Sequence, residues 1–277
     1  MRYALFALMI IAVALSASVR VGGSGQSGQW PVRGSYSIVR QMTGGLSASY
    51  GLAIKTTVPN SIWILNWSDM ANYEFEIDSG DPTGNSWAIT GGVDPDDQAF
   101  CEYTAGAQWF MTDYSSSFFA VFEEDGTFMQ NIDGPAGYTN LFGVGAGYDN
   151  IYLGSPNDDK LAWGSYTGSE TSITWSDIGY DGKAIYGLAV WENYLFVATS
   201  DEADVNIIIH QLNADGSPDP TPVWTTIFFE APVNGGIDYD GEYLYIYPQN
   251  DYIYVLDIDF EPEALQQSTW GNIKSAF

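Results

Sequence analysis

The sequence predicts an all-β chain folded as a five-bladed β-propeller, on three observations. A segment of 44 to 49 residues recurs five times, and each copy reads as short apolar or aromatic strands parted by polar turns. One strand is left over at the amino end and one is missing at the carboxyl end. No helical periodicity separates the strands, which is the pattern of propeller blades.

Residues 1–17 read as a secretory signal peptide: Arg2 supplies charge, an apolar run of about 15 residues follows, and Ser16, Ala17 and Ser18 are small. The run is shorter than the roughly 20 residues that span a bilayer, so an uncleaved anchor is the lesser alternative. No later stretch is apolar enough to cross a membrane, so the mature chain is expected to lack a transmembrane segment. Residues 18–34 are expected to be a linker, 35–262 the propeller and 263–277 a separate tail.

The repeats are clearest in "FGVGAGYDNIYLGSPNDDKLAWGSY" from Phe142, "YGLAVWENYLFVATSDEADVNIIIHQL" from Tyr186 and "GGIDYDGEYLYIYPQNDYIYVLDI" from Gly235. Two fainter copies begin at Tyr50 and Ala99. Opening small residues at Gly51, Ala99, Gly143, Gly187 and Gly236 give intervals of 48, 44, 44 and 49. Fourteen residues after them stand Asp113, Asn157, Asp201 and Asn250; Asp69 is the first copy's counterpart after a four-residue insertion. Fourth strands follow in "SWAIT", "FMQNI", "SITWSDI" and "VWTTIFF", but not after the last copy. The unassigned strand "YSIVRQM", residues 36–42, is predicted to fill that place and close the ring. Tyr239, Tyr243, Tyr245, Tyr247, Tyr252 and Tyr254 are then mostly blade-packing residues, alternate ones facing opposite sides.

These repeats, "GLAVWENYLFVATSD" and "GGIDYDGEYLYIYPQND" above all, resemble those of secreted β-propellers of the NHL and YVTN type over about residues 35–262. The resemblance implies the fold and leaves activity open, because the superfamily holds binding scaffolds, lectins and hydrolases. It also implies a ligand site at an axial mouth built from hairpins and blade connections.

Thirty-five acids against eight Lys and Arg give a net charge of −27. Phosphate binding needs clustered cations, so nucleic acid is excluded as a partner, as are anionic membrane surfaces. Such a surface keeps a protein soluble and attracts cations, and it also fits a salty habitat. The sole cysteine, Cys101, rules out an intrachain disulfide framework.

Asp69, Asp113, Asn157, Asp201 and Asn250 lie in the second-to-third-strand hairpins and are the candidate binding residues on one axial face, for a protein or carbohydrate ligand. Hard cations prefer carboxylate oxygens, which admits Ca2+ at Asp94, Asp96 and Asp97 of "GGVDPDDQ", at Asp158 and Asp159, or at Asp201 and Asp204. Tight-turn hydrogen bonding explains the same residues without a metal, and no cofactor is required. A hydrolase would need two channel carboxylates, for which Glu102 and Asp238 are the candidates; Ala53, Cys101, Gly145 and Ala189 are aligned with Asp238. His210, the only histidine, falls in an apolar strand, is expected in the core, and has no companion nucleophile motif. The sequence therefore points to an exported binding or surface-associated module for protein or carbohydrate, more than to an enzyme, with a glycan-active hydrolase or a structural cell-surface component anchored through the tail as the alternatives. Near the terminus, "STWGNIKSAF" is similar to short tails on some exported bacterial proteins, serving either for sorting or to cap the propeller.

Overall fold

The computed structural model describes residues 30–180, 182–200, 204–249 and 252–261, with the backbone of Arg20 and Val21. The signal segment 1–17, the tail 263–277, Asp201 and Asn250 lie outside the described residues. Strands β1 (Arg20–Val21) and β2 (Ser35–Thr43) come first. Blade 1 is β3 (Ser49–Lys55), β4 (Ser61–Asn66), β5 (Ala71–Glu76) and β6 (Pro82–Ala88). Blade 2 is β7 (Pro95–Tyr103), β8 (Gly106–Asp113), β9 (Phe118–Glu123) and β10 (Phe128–Asp133). Blade 3 comprises β11 (Val144–Gly147), β12 (Asn150–Ser155), β13 (Lys160–Ser165) and β14 (Ser176–Gly179). Blade 4 comprises β15 (Ile185–Trp191), β16 (Tyr194–Thr199), β17 (Ile207–Gln211) and β18 (Trp224–Thr226). Blade 5 holds β19 (Gly236–Tyr239), β20 (Leu244–Tyr247) and β21 (Tyr252–Ile258).

Each blade is an antiparallel sheet in chain order, and β2 completes the fifth by pairing with β21 from Tyr36↔Ile258 to Thr43↔Tyr252. The chain is thus closed by its own early strand, as the unmatched ends predict. The inner strands β3, β7, β11, β15 and β19 touch in cyclic order, β19 returning to β3. Among the described residues there is no helix, hence none long and apolar enough to cross a membrane.

Apolar burial sits between blades, not within them. Five clusters of buried residues occupy the five blade interfaces. The tyrosine-rich last repeat shows why strand alternation matters. Tyr245 and Tyr247 pack towards blade 1 with Leu52 and Ile64, while Tyr239 and Tyr254 pack towards blade 4 with Phe196 and Ile207. Tyr252 remains exposed.

Residues 30–34, the end of the stretch expected as a linker, form a strap on blade 4. Arg33 and Gly34 amides both donate to the Thr225 carbonyl on the outer strand β18, and the Thr225 hydroxyl donates to the Pro31 carbonyl. Trp30 packs edge-on against His210 behind it. The second repeat, in turn, is set two residues earlier than the sequence places it. Gln98 pairs with Met111 as Leu52 pairs with Ile64 and Val144 with Leu153. Asp97, not Ala99, therefore stands at the place of Gly51, Gly143, Gly187 and Gly236, and Ala99, not Cys101, at the place of Asp238. Asp113 corresponds to Asn66, the last residue of β4; each caps its hairpin by accepting from the amide two residues on. An aspartate fits the small-residue place because its carboxylate reaches the Val144 amide of the next blade at 3.0 Å.

Elsewhere that place needs glycine. A Cβ on Gly236 would lie 2.1 Å from the Leu52 amide nitrogen, and one on Gly187 would lie 2.5 Å from the Gly235 carbonyl oxygen. Gly236→Ala is expected to cost about 1–3 kcal/mol through overpacking at the axis. Gly179→Ala on β14, where a Cβ meets nothing within 4 Å, is expected to stay within about 0.5 kcal/mol of wild type. Urea unfolding of the two variants checks the contrast.

Candidate functional site

Second-to-third-strand hairpins and blade-to-blade connections share one end of the ring; call it the hairpin mouth. The residue just before the axial small position in each blade opens onto it. In order these are Tyr50, Asp96, Phe142, Tyr186 and Gly235. Three aromatics, one acid and one vacancy therefore encircle the axis.

The aromatics meet across it. Tyr50 of blade 1 lies 6.0 Å from Phe142 of blade 3, centroid to centroid, at 82°. Phe142 also stands 4.8 Å from Tyr186 and 6.1 Å from Tyr114. Trp67 joins from its hairpin at 6.3 Å from Tyr50. Such tilted ring pairs contribute about 0.5–1.5 kcal/mol each beyond area burial. Trp67 and Tyr114 nonetheless remain 42% and 47% exposed, so their faces are available to a ligand.

Asp96 is only 7% exposed, and its Oδ2 has no hydrogen-bond partner. Burial, with the neighbouring charges of Asp94 and Asp113, pushes its carboxyl up to about 8. Burial raises the Tyr50 phenol too, with Asp96 and Asp94 adding to the shift. The mouth is an aromatic rim around an acid without a counter-charge.

Below it runs a narrow channel holding two more acids. Asp97 is buried; one oxygen accepts from the Val144 amide and the other has no partner. Asp238 accepts from the Ile54 amide at 2.7 Å and the Tyr239 amide at 2.8 Å. Each ties its inner strand to the next around the ring, blade 2 to 3 and blade 5 to 1. Burial raises both, Asp238 to about 7 and Asp97 well above the usual carboxylate range, the latter also through the charge of Asp238.

Glu102 is anchored two residues along blade 1 from Asp238, on Thr56 rather than Ile54. It is exposed at the opposite end of the ring and accepts from the Thr56 hydroxyl at 2.8 Å. Cavities of about 550 and 430 Å3 open there, sharing Cys101, Glu102 and Tyr148. Burial pushes the Cys101 thiol up to about 11, which leaves it uncharged and weakly nucleophilic near neutrality. The acid with which Asp238 shares the channel is Asp97, which the shifted register hid.

The remaining candidates are placed as follows. Asp69 and Asn157 are exposed at hairpin tips, bonded to Tyr73 and Asn140 respectively, while Asp113 is buried. Asp94 is exposed, whereas Asp97 is buried with its carboxylate on the Val144 amide. Asp158 accepts from the Thr139 amide and the Ser155 hydroxyl; Asp159 is exposed at a positive φ of 49°. Among the described residues, no three His, Cys, Asp or Glu side chains group to hold a metal ion. His210 is buried in blade 4. Its Nδ1 lies 2.7 Å from the Asp219 carbonyl, so it donates there and Nε2 accepts from the Tyr180 hydroxyl at 2.8 Å. Burial lowers it to about 4.

The mouth ring itself went unread in the sequence, although "YG", "FG" and "YG" at 50, 142 and 186 were its signal.

No family model and no curated protein matches the chain. Solved structures match in fold. Glutaminyl cyclase of Myxococcus xanthus is 9% identical, covers 84% of this chain and 100% of its own, and gives a TM-score of 0.57. A chain of a nidogen–laminin complex is 16% identical over 77% of this chain and 86% of its own, at 0.50. Virginiamycin B lyase of Staphylococcus aureus is 15% identical over 86% and 79%, at 0.47. At these identities the likeness shows the propeller fold alone.

A pH dependence follows from the channel. Asp238 has a folded pKa near 7 against an ordinary value of 3.8. Between those values the folded chain holds a proton that the unfolded chain has released. Its contribution is therefore complete below about pH 4 and lost as pH rises through 7, with a slope of at most about 1.4 kcal/mol per pH unit. His210, lowered to about 4, acts in the opposite sense between pH 4 and 6.5. Asp238→Asn keeps an acceptor for Ile54 and is expected to flatten the fall; chemical denaturation of both proteins at pH 5, 6.5 and 8 reads it.

Proposed function

We propose that the chain is an exported binding module that presents the hairpin mouth to a protein or carbohydrate ligand. The observation that carries the reading is the half-exposed pair Trp67 and Tyr114 flanking a rim of Tyr50, Phe142 and Tyr186 beside the buried Asp96 carboxyl. Flat aromatic faces with a few convergent polar atoms are what a ligand-orienting site requires. Export is supported by the charged, apolar and small-residue pattern of residues 1–17, and surface association by the tail. A propeller within a nidogen–laminin complex illustrates the fold in a protein assembly.

A glycan-active hydrolase is less favoured. Glu102 and Asp238, the pair it would use, accept from the Thr56 hydroxyl and the Ile54 amide, two residues apart on blade 1, but Glu102 is exposed while Asp238 is tied between strands.

Trp67→Ala combined with Tyr114→Ala is expected to weaken ligand capture tenfold or more while the chain stays folded with a melting temperature lowered by about 2–10 °C, and Glu102→Gln is expected to leave capture unchanged. A glycan array and an array of extracellular proteins, probed with the mature chain and both variants, read this. Equal capture by wild type and the double aromatic variant would sink the proposal.

A further inference from the structure

The end of the ring opposite the hairpin mouth gathers the first-to-second-strand turns and holds the cavities of about 550 and 430 Å3. The two adjoin, because Cys101, Glu102 and Tyr148 line both. The larger is bounded by Asp149 and Asn150 of the β11–β12 turn and by Asp215 of the β17–β18 loop. That loop is held over blade 3 by the Tyr152 hydroxyl, which donates to the Gly216 carbonyl at 2.8 Å. The smaller cavity has Phe100, Ala146 and Val190 on its wall, beside Glu192.

No Lys, Arg or His lines either cavity, and Lys55, at the same end of the ring, is held by Glu124 at 2.9 Å. Glu102, Asp149, Glu192 and Asp215 are all exposed, so a ligand reaches their carboxylates directly. Glu102 gives one oxygen to the Thr56 hydroxyl and keeps the other. The Ser217 hydroxyl and amide hold the Asp215 carboxyl below its ordinary range, which leaves it charged at neutral pH. One further acceptor is not an acid. Asn150 is 6% exposed and its side-chain N–H donates to the Tyr148 carbonyl at 2.7 Å, yet its amide oxygen receives no donor although the side chain lines the cavity. Tyr148 stays 41% exposed at a φ of 52°, so neither burial nor backbone preference accounts for an aromatic residue there.

Walls that mostly accept fit groups that donate and do not accept. An ammonium has three donors and no acceptor, whereas a sugar hydroxyl brings lone pairs of its own. The tyrosine face attracts a cation, and the wall of Phe100, Ala146 and Val190 suits methylene groups. Exposed ion pairs contribute little one at a time, so the fitting ligand reaches several of these acids together.

We infer that this cleft binds a linear polyamine, one ammonium at Asp149, Asp215 and Asn150, a second at Glu102 and Glu192, and the alkyl chain along Tyr148. The site lies away from the hairpin mouth and does not depend on what that mouth captures.

The test is titration calorimetry on the mature full chain with spermidine, butylamine, a dilysine peptide blocked at both ends, calcium chloride and a neutral oligosaccharide. Spermidine is expected to bind about tenfold more tightly than butylamine, and about 0.5 M salt to weaken it strongly. Asp149→Asn combined with Asp215→Asn is expected to weaken spermidine about tenfold. Asparagine tolerates the φ of 56° at position 149 and keeps the acceptor for Ser217, so the fold holds. Tyr148→Asn is expected to weaken spermidine while the melting temperature stays level or rises, because asparagine suits the positive φ of the turn. Trp67→Ala with Tyr114→Ala is expected to leave spermidine binding unchanged, which separates this site from the hairpin mouth. No binding of spermidine, equal binding of spermidine and butylamine, or an affinity that survives the double acid variant overturns the inference. Calcium or saccharide binding that the double acid variant abolishes, with spermidine inert, overturns it and gives the cleft another ligand. Tighter binding of the dilysine peptide than of spermidine, lost in the same variant, overturns the choice of a free polyamine in favour of a protein partner.

Discussion

Ring closure is the constraint from which everything else follows. A blade has two apolar faces and cannot cover either alone, so each of the five interface clusters exists only while both neighbours are in place. The last neighbour is supplied by pairing β2 with β21, from Tyr36↔Ile258 to Thr43↔Tyr252. These strands lie more than two hundred residues apart, so this contact carries a high loop-closure cost. The strap at residues 30–34 reinforces it by binding β18 of the adjacent blade rather than the blade that β2 completes. The amino-terminal stretch therefore bridges blades 4 and 5 as well as finishing one of them.

Closing only five sheets crowds the axis. Backbone of one inner strand approaches the next to within the space of a methyl group, which explains glycine at 187 and 236. Blade 2 has an acid, Asp97, in the glycine's place, and blade 5 has another, Asp238, two residues beyond its glycine. Asp97 and Asp238 receive amide hydrogens from the neighbouring blade, satisfying donors that inner-strand edges otherwise leave to water. Burial of these groups keeps them protonated to higher pH than an exposed carboxylate, so the tie is made without concentrating full charges in the channel.

Much of the fold was legible because strand alternation is a local property. "NYLFVAT" and "YIYVLDI" declare two covered faces wherever they occur, and the surplus strand at 36–42 made closure a matter of counting. The second repeat was harder. Asp97 occupies a glycine's place, and Ala99 two residues on is small enough to be mistaken for it; only the pairing of Gln98 with Met111 decides. The mouth was harder still. Its ring takes a single residue from each blade, spaced some 46 residues apart, so no window of sequence contains it. Glu102 lies on an inner strand, as expected, at the end away from the hairpin mouth, and height along the axis is not written in residue type.

Near-fivefold architecture often brings equivalent sites and hence several simultaneous contacts. Here the posts around the axis are Tyr50, Asp96, Phe142, Tyr186 and Gly235, no two neighbours alike in size and charge except the Phe142–Tyr186 pair. The rotational degeneracy is broken, and the acid and the vacancy together define one azimuth. Whatever docks on this axis does so once per chain and facing one way. On the binding-module reading the chain offers one axial site, and avidity comes from displaying many copies side by side.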